Sequence, residues 1–80
     1  MTSDGLRVLR AVEWSERMSR GSVLPLKRIA VATLGGDTDR AARALASLDQ
    51  QGWVTTDTMG WQSGWMTPEG RAAVAAWPDR

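Results

Sequence analysis

Eighty residues make one small domain, which buries only roughly 60–65% of its unfolded surface, so its core is thin. With no Cys and no His, disulfides, thiolate metal sites and the commonest general base and metal ligand are excluded. Net charge is only +1, but residues 5–43 carry eight basic and four acidic groups, whereas residues 44–80 carry two basic and four acidic ones. Nine of the ten basic residues are Arg, which suits bidentate contacts with phosphate and guanine. A GC-rich coding sequence produces the same bias. No apolar run approaches the ~20 residues needed to span a bilayer. The opening MTSDGLRVLR places acid and arginine where a signal peptide has its apolar core. These features lead us to expect a cytoplasmic protein with no membrane segment.

The first element is an amphipathic helix over 4–19. Val8, Ala11, Val12, Ser15 and Met18 share one face, Leu9 and Trp14 flank it, and Arg7, Arg10, Glu13, Glu16 and Arg17 lie opposite. Ser3 is the expected N-cap, and Gly21 the stop. The charged face reads first as solvated and salt-bridged, with Glu13 and Arg17 at i, i+4. Val23-Leu24 is a candidate short strand. Pro25 then opens a second helix over 25–34, with Leu26, Ile29, Ala30, Thr33 and Leu34 at helical spacing. Gly35-Gly36 breaks it. Asp37 or Thr38 caps a third helix over 38–51, whose apolar face is Ala41, Ala44, Leu45 and Leu48. Asp39, Arg43, Ala46 and Gln50 face the other way, with Arg40 and Ser47 at the edge. Gly52 stands where a helix end favours a left-handed residue. A hairpin follows over 53–66, and Thr67-Pro68-Glu69 opens a last helix over 68–77, with Thr67 as N-cap and Pro68 at its first position. The fold class is therefore mainly α with a small β-hairpin (α+β), in the order α-(β)-α-α-β-β-α.

Two helices joined by a Gly-containing turn and followed by a hairpin resemble a winged helix-turn-helix. ALASLDQQGWV (44–54) resembles the end of a recognition helix entering the first wing strand. MTPEGR (66–71) resembles the Leu-Thr-x-x-Gly segment that closes the wing in MarR- and PadR-type bacterial regulators, with Met66 in the Leu place. The resemblance covers roughly residues 5–77. It implies double-stranded DNA as partner, with the third helix in the major groove. Carried onto this chain, the DNA-binding positions are Lys27, Arg28, Thr38, Asp39, Arg40, Arg43 and Ser47. Arg40 and Arg43 suit guanine or phosphate, and Lys27 and Arg28 suit backbone phosphate. The expected function is that of a small transcriptional regulator or a phage or mobile-element accessory factor. The chain departs from the pattern in three ways. Residues 53–70 hold no Lys or Arg, Asp37 and Asp39 bring negative charge to the start of the reading helix, and the long dimerisation helices of full-length MarR-type regulators have no counterpart.

The hairpin contains three of the five tryptophans. A three-residue loop, Thr58-Met59-Gly60 with Gly60 left-handed, pairs Asp57 with Trp61, Thr55 with Ser63 and Trp53 with Trp65. It puts Val54 and Met66, at positions the family buries, on one side. Trp53, Trp61 and Trp65 then fall on the other. A two-residue Met59-Gly60 loop would separate Val54 from Met66. Trp53 and Trp65 either stack across the strands beneath the first or last helix, near Trp14 or Trp77, or meet a partner; Trp61 lies nearer the tip. The competing function is accordingly a protein-interaction domain, docking a partner or a second copy through Trp53, Trp61 and Trp65.

No enzyme is expected, and no catalytic residue, metal ligand or cofactor. Lys27 has no recognised Ser or Thr partner, Asp37 and Asp39 occupy a cap region where the helix dipole favours acids, and LGGDTD lacks the lysine and glycine spacing of a phosphate loop.

Overall fold

The computed structural model describes residues 2–19, 23–56 and 61–77. Within them the order is α1 (Ser3–Ser19), α2 (Leu26–Thr33), α3 (Thr38–Gln50), β1 (Val54–Thr56), β2 (Gly64–Met66) and α4 (Pro68–Ala76). The architecture is mainly helical with a two-stranded antiparallel hairpin, the α+β class expected. Among the described residues no helix is long and apolar enough to cross a membrane. The stop at Gly21 and the hairpin tip, including the Thr58-Met59-Gly60 loop and Asp57, lie outside the described residues.

The three N-terminal helices pack on one another around Val8, Leu9, Val12, Leu26, Ala30, Leu34, Ala41, Ala44, Leu45 and Leu48. The α3 stripe is the one its spacing predicts. For α1 the buried face is rotated: Gly5, Val8, Leu9 and Val12 are inside, while Met18 is 63% exposed. Leu9, expected at the flank, is fully buried, and Met18, expected in the core, is not. The reason is tertiary. Packing on α2, α3 and α4 buries the Val8–Leu9–Val12 side, and Asp4, Arg7 and Glu16 reach from its margins to α3, α2 and α4. The α1 cap is also shifted, since Gly5 N–H donates to Thr2 Oγ1 at 3.0 Å, so Thr2 rather than Ser3 fills that role.

At α2, Pro25 stands one place before the helix, at the N-cap, rather than opening it, and no side chain caps that end. The α3 and α4 caps follow the sequence chemistry. Asp37 accepts from Arg40 N–H at 3.0 Å, and Thr67 accepts from Gly70 N–H at 3.0 Å with Pro68 in the first turn. Thr67 Oγ1 also donates to the Gly52 carbonyl at 2.6 Å, tying the start of α4 to the end of α3. Gly52 is left-handed, with φ +77°.

In the hairpin, Val54 faces Met66, Thr55 faces Trp65 and Thr56 faces Gly64. Val54 and Met66 are buried on one side, as expected, but the pairing is two residues away from the predicted register. The connection from Thr56 to Gly64 is longer than three residues, and Trp53 is opposite Thr67, whose N–H donates to the Trp53 carbonyl at 3.1 Å. An even offset keeps each side chain on its face, because strand side chains alternate with period two. The face assignment therefore survives while every individual pair changes, including Trp53–Trp65 and Thr55–Ser63.

Gly64 explains why β2 sits where it does. Its N–H and carbonyl exchange bonds of 3.0 and 2.8 Å with Leu24, so the candidate strand at Val23-Leu24 contributes Leu24 as a bridge on the other edge of β2. A Cβ at Gly64 would lie 2.1 Å from the Thr55 carbonyl oxygen and 2.7 Å from Leu26 Cδ1. The glycine lets three backbone segments and the start of α2 meet.

Candidate nucleic-acid interface

Because α3 buries Ala41, Ala44, Leu45 and Leu48, helical geometry turns Asp39, Arg43, Ala46 and Gln50 outward. Thr38, Asp39, Ala42 and Arg43 are exposed, as are Lys27 and Arg28 in the first turn of α2. Lys27 joins the two helices at the surface. It lines a depression of about 390 Å³ with Thr38, Asp39, Ala42, Leu45 and Trp61. It also lines a second one, of about 390 Å³, with Pro25, Arg28, Val31 and Gln62. The α2 N-terminus, the first half of α3 and the residues leading into β2 thus share one surface.

Arg40 and Ser47 face other work. Arg40 donates through Nε to Asp4 Oδ2 at 3.0 Å and through Nη2 to Asp4 Oδ1 at 2.6 Å, a two-pronged link between α3 and α1. This hydrogen bond holds the Asp4 carboxyl below its ordinary value; partial desolvation opposes the shift, and the charges of Arg40, Arg7 and Arg43 add to it. The same bond raises Arg40. Arg7 spans α1 and α2 by donating to the Thr33 carbonyl at 2.9 Å. Ser47 accepts from Gln51 Nε2 through both its carbonyl and its hydroxyl, each at 3.2 Å, at the end of α3. Of the seven positions expected at DNA, Lys27, Arg28, Thr38, Asp39 and Arg43 lie on the exposed surface of α2 and α3. Arg40 and Ser47 are partly buried and engaged within the fold.

The tryptophans separate in the same way. Trp53 is half-buried against the core. Trp65 is 42% exposed on the outer side of the hairpin. Trp61, expected on the side away from the core, packs partly against it and walls the depression with Lys27. Its φ of +64° makes it the one non-glycine residue with positive φ among those described. For a bulky side chain that backbone is an outlier, costing on the order of 1–3 kcal/mol, and persists only where surrounding contacts hold it. Sequence spacing missed this inward turn, because alternation along a strand does not extend through a left-handed residue. It also missed Asp4 as the partner of Arg40, since nothing local links residues 36 apart.

The charged face of α1 is salt-bridged as expected for Glu13 and Arg17, at 2.7 Å. Glu16 pairs with Arg71 of α4 at 2.8 Å, and Arg10 donates to the Trp77 carbonyl. Among the described residues no group of three or more acidic side chains is placed to hold a metal ion. No family model matches this chain, and neither a curated protein nor a solved structure matches it.

Proposed function

We propose that this chain is a small winged-helix DNA-binding domain that lays the outer face of α3 in the major groove, as a transcriptional regulator or a phage or mobile-element accessory factor does. One observation carries the reading: Lys27 and Arg28 of α2 share a continuous exposed surface with Thr38, Asp39 and Ala42 of α3. The exposed stripe of α3 alternates small and polar residues (Asp39, Ala42, Arg43, Ala46), which leaves its backbone free to approach base edges. Arg43 is the guanine- or phosphate-contacting side chain, and Lys27 and Arg28 neutralise backbone phosphates, which set register without reading sequence. Thr38 donates to phosphate. Asp39 accepts from a cytosine amino group. Arg40, bound to Asp4, fixes the angle of α3 on α1 and acts by positioning.

Anisotropy of a labelled duplex pool tests the reading. The wild type binds at low salt, and Lys27→Ala/Arg28→Ala/Arg43→Ala loses most of that affinity while keeping its helical circular dichroism. Equal binding by the triple variant refutes it.

A second reading, docking of a protein partner, draws support from apolar exposure. Trp65 is 42% exposed, and Trp14 and Met18 on α1 are 59% and 63% exposed. Sedimentation over a concentration series, together with Trp65→Ala, separates this reading from the first.

A further inference from the structure

The depression between α2, α3 and Trp61 combines an aromatic wall, an apolar floor and groups of both charges. Its floor is Leu45, fully buried, and Ala42. Its wall is the Trp61 indole, whose left-handed backbone, one that bulky residues avoid, is held by packing against the core. Its polar groups are one cation, Lys27, one carboxylate, Asp39, and the Thr38 hydroxyl. A volume of about 390 Å³ is in the range of small-ligand sites. An apolar floor and an indole wall suit a flat aromatic ring. A neighbouring cation suits an anionic group attached to that ring, and a carboxylate suits an amino group on its edge. A nucleotide combines all three.

We propose that this pocket takes an unpaired nucleotide of a DNA strand, with its base against Trp61, its exocyclic amino group donating to Asp39 in place of a duplex cytosine, and its phosphate on Lys27. This rests on the reading of α3 as a DNA-binding element and deepens it. The preferred substrate becomes duplex DNA with a single-stranded end or a looped-out base beside the α3 contact. A base inside an intact duplex keeps its faces stacked on its neighbours and cannot enter. Bases with an amino group (cytosine, adenine, guanine) are favoured over thymine, which has none to offer Asp39. The duplex reading gives Trp61 and its strained backbone no role, and the pocket supplies one.

Anisotropy with three labelled DNAs tests this: a blunt duplex, the same duplex with a short single-stranded dC overhang, and that overhang built from abasic sugar-phosphate. With wild-type protein the dC overhang should bind about tenfold tighter than the abasic one, the scale of one base stacked on an aromatic side chain. Trp61→Ala should erase that difference without changing blunt-duplex affinity. Trp61→Phe should retain most of it, and Asp39→Asn should narrow the preference for dC over dT. Equal wild-type affinity for dC and abasic overhangs overturns the inference, and this comparison needs no variant to fold. If the blunt duplex binds and the overhangs are equal, the pocket fails and the duplex reading stands. If only the dC overhang binds, and through Trp61, the duplex reading fails and the pocket stands. Binding to none of them refutes both.

Discussion

Gly64→Ala is the perturbation that most directly probes how the hairpin is set on the helices. The added methyl would stand 2.1 Å from the Thr55 carbonyl oxygen and 2.9 Å from Thr56 Cα, so backbone rather than a flexible side-chain end has to give way. Restoring ordinary contact requires about 1 Å or more of separation between β1 and β2. Overpacking of that kind costs about 1–3 kcal/mol. The Leu24–Gly64 pair, with bonds of 2.8 and 3.0 Å, is strained or lost with it, at about 1 kcal/mol per bond. The total is about 3–5 kcal/mol. A chain of this length has about 4–12 kcal/mol of stability, so the loss is a large share of it. Urea unfolding followed by tryptophan fluorescence reads the effect. With a denaturant slope of about 1 kcal/mol/M for a small domain, the midpoint should fall by about 3 M or more. Gly52→Ala is the internal comparison: it shares the change of residue but meets nothing within 4 Å, and pays only for its φ of +77°, about 1–2 kcal/mol. The reasoning is refuted if Gly64→Ala loses no more stability than Gly52→Ala.

Three other outcomes follow from the packing and the charges. Leu9→Ala should cost about 2–5 kcal/mol in urea unfolding, while Met18→Ala should stay within about 0.5 kcal/mol, the reverse of what the α1 spacing alone suggests. Thr67→Ala removes both the cap to Gly70 and the bond to the Gly52 carbonyl, and should cost about 1–2 kcal/mol by the same assay. The Asp4 carboxyl is held below its ordinary value of 3.8 in the folded protein. Its contribution is therefore fully present above that ordinary value and lost as pH falls through the lower, folded one. Urea midpoints measured from about pH 6 down to about pH 2 should accordingly fall less steeply for Asp4→Asn than for the wild type. Parallel curves would mean that the Arg40–Asp4 link does not contribute to acid sensitivity.

The helices were legible in the sequence because their information is local. Ala41, Ala44, Leu45 and Leu48 repeat at helical spacing, and Asp37 and Thr67 stand where a helix needs an acceptor. The hairpin was half legible. Alternation placed Val54 and Met66 on one face, but the pairing depended on the length of the connection, which carries no periodic signal, and the pairs came out two residues displaced. The α1 face was misjudged by one neighbour because Leu9 and Met18 stand at opposite edges of the same stripe, and contacts with α2, α3, α4 and β2 choose between them. At the candidate site, Lys27, Arg28, Thr38, Asp39 and Arg43 were expected from the winged-helix resemblance, and helix periodicity accounts for their exposure. Arg40 looked equivalent to Arg43 until the fold brought Asp4 to it from 36 residues away. Trp61 was found for its size and misplaced for its backbone.

We propose that Lys27, Arg28 and Arg43 meet the phosphates and base edges of duplex DNA. The salt dependence of duplex binding tests it most directly. Each phosphate neutralised contributes about −0.9 to the slope of log K against log salt, so Lys27 and Arg28 predict a slope of about −2, and about −3 if Arg43 also meets a phosphate. The triple alanine variant should flatten it towards zero. No binding at low salt, or the same slope in the wild type and the triple variant, would contradict the account.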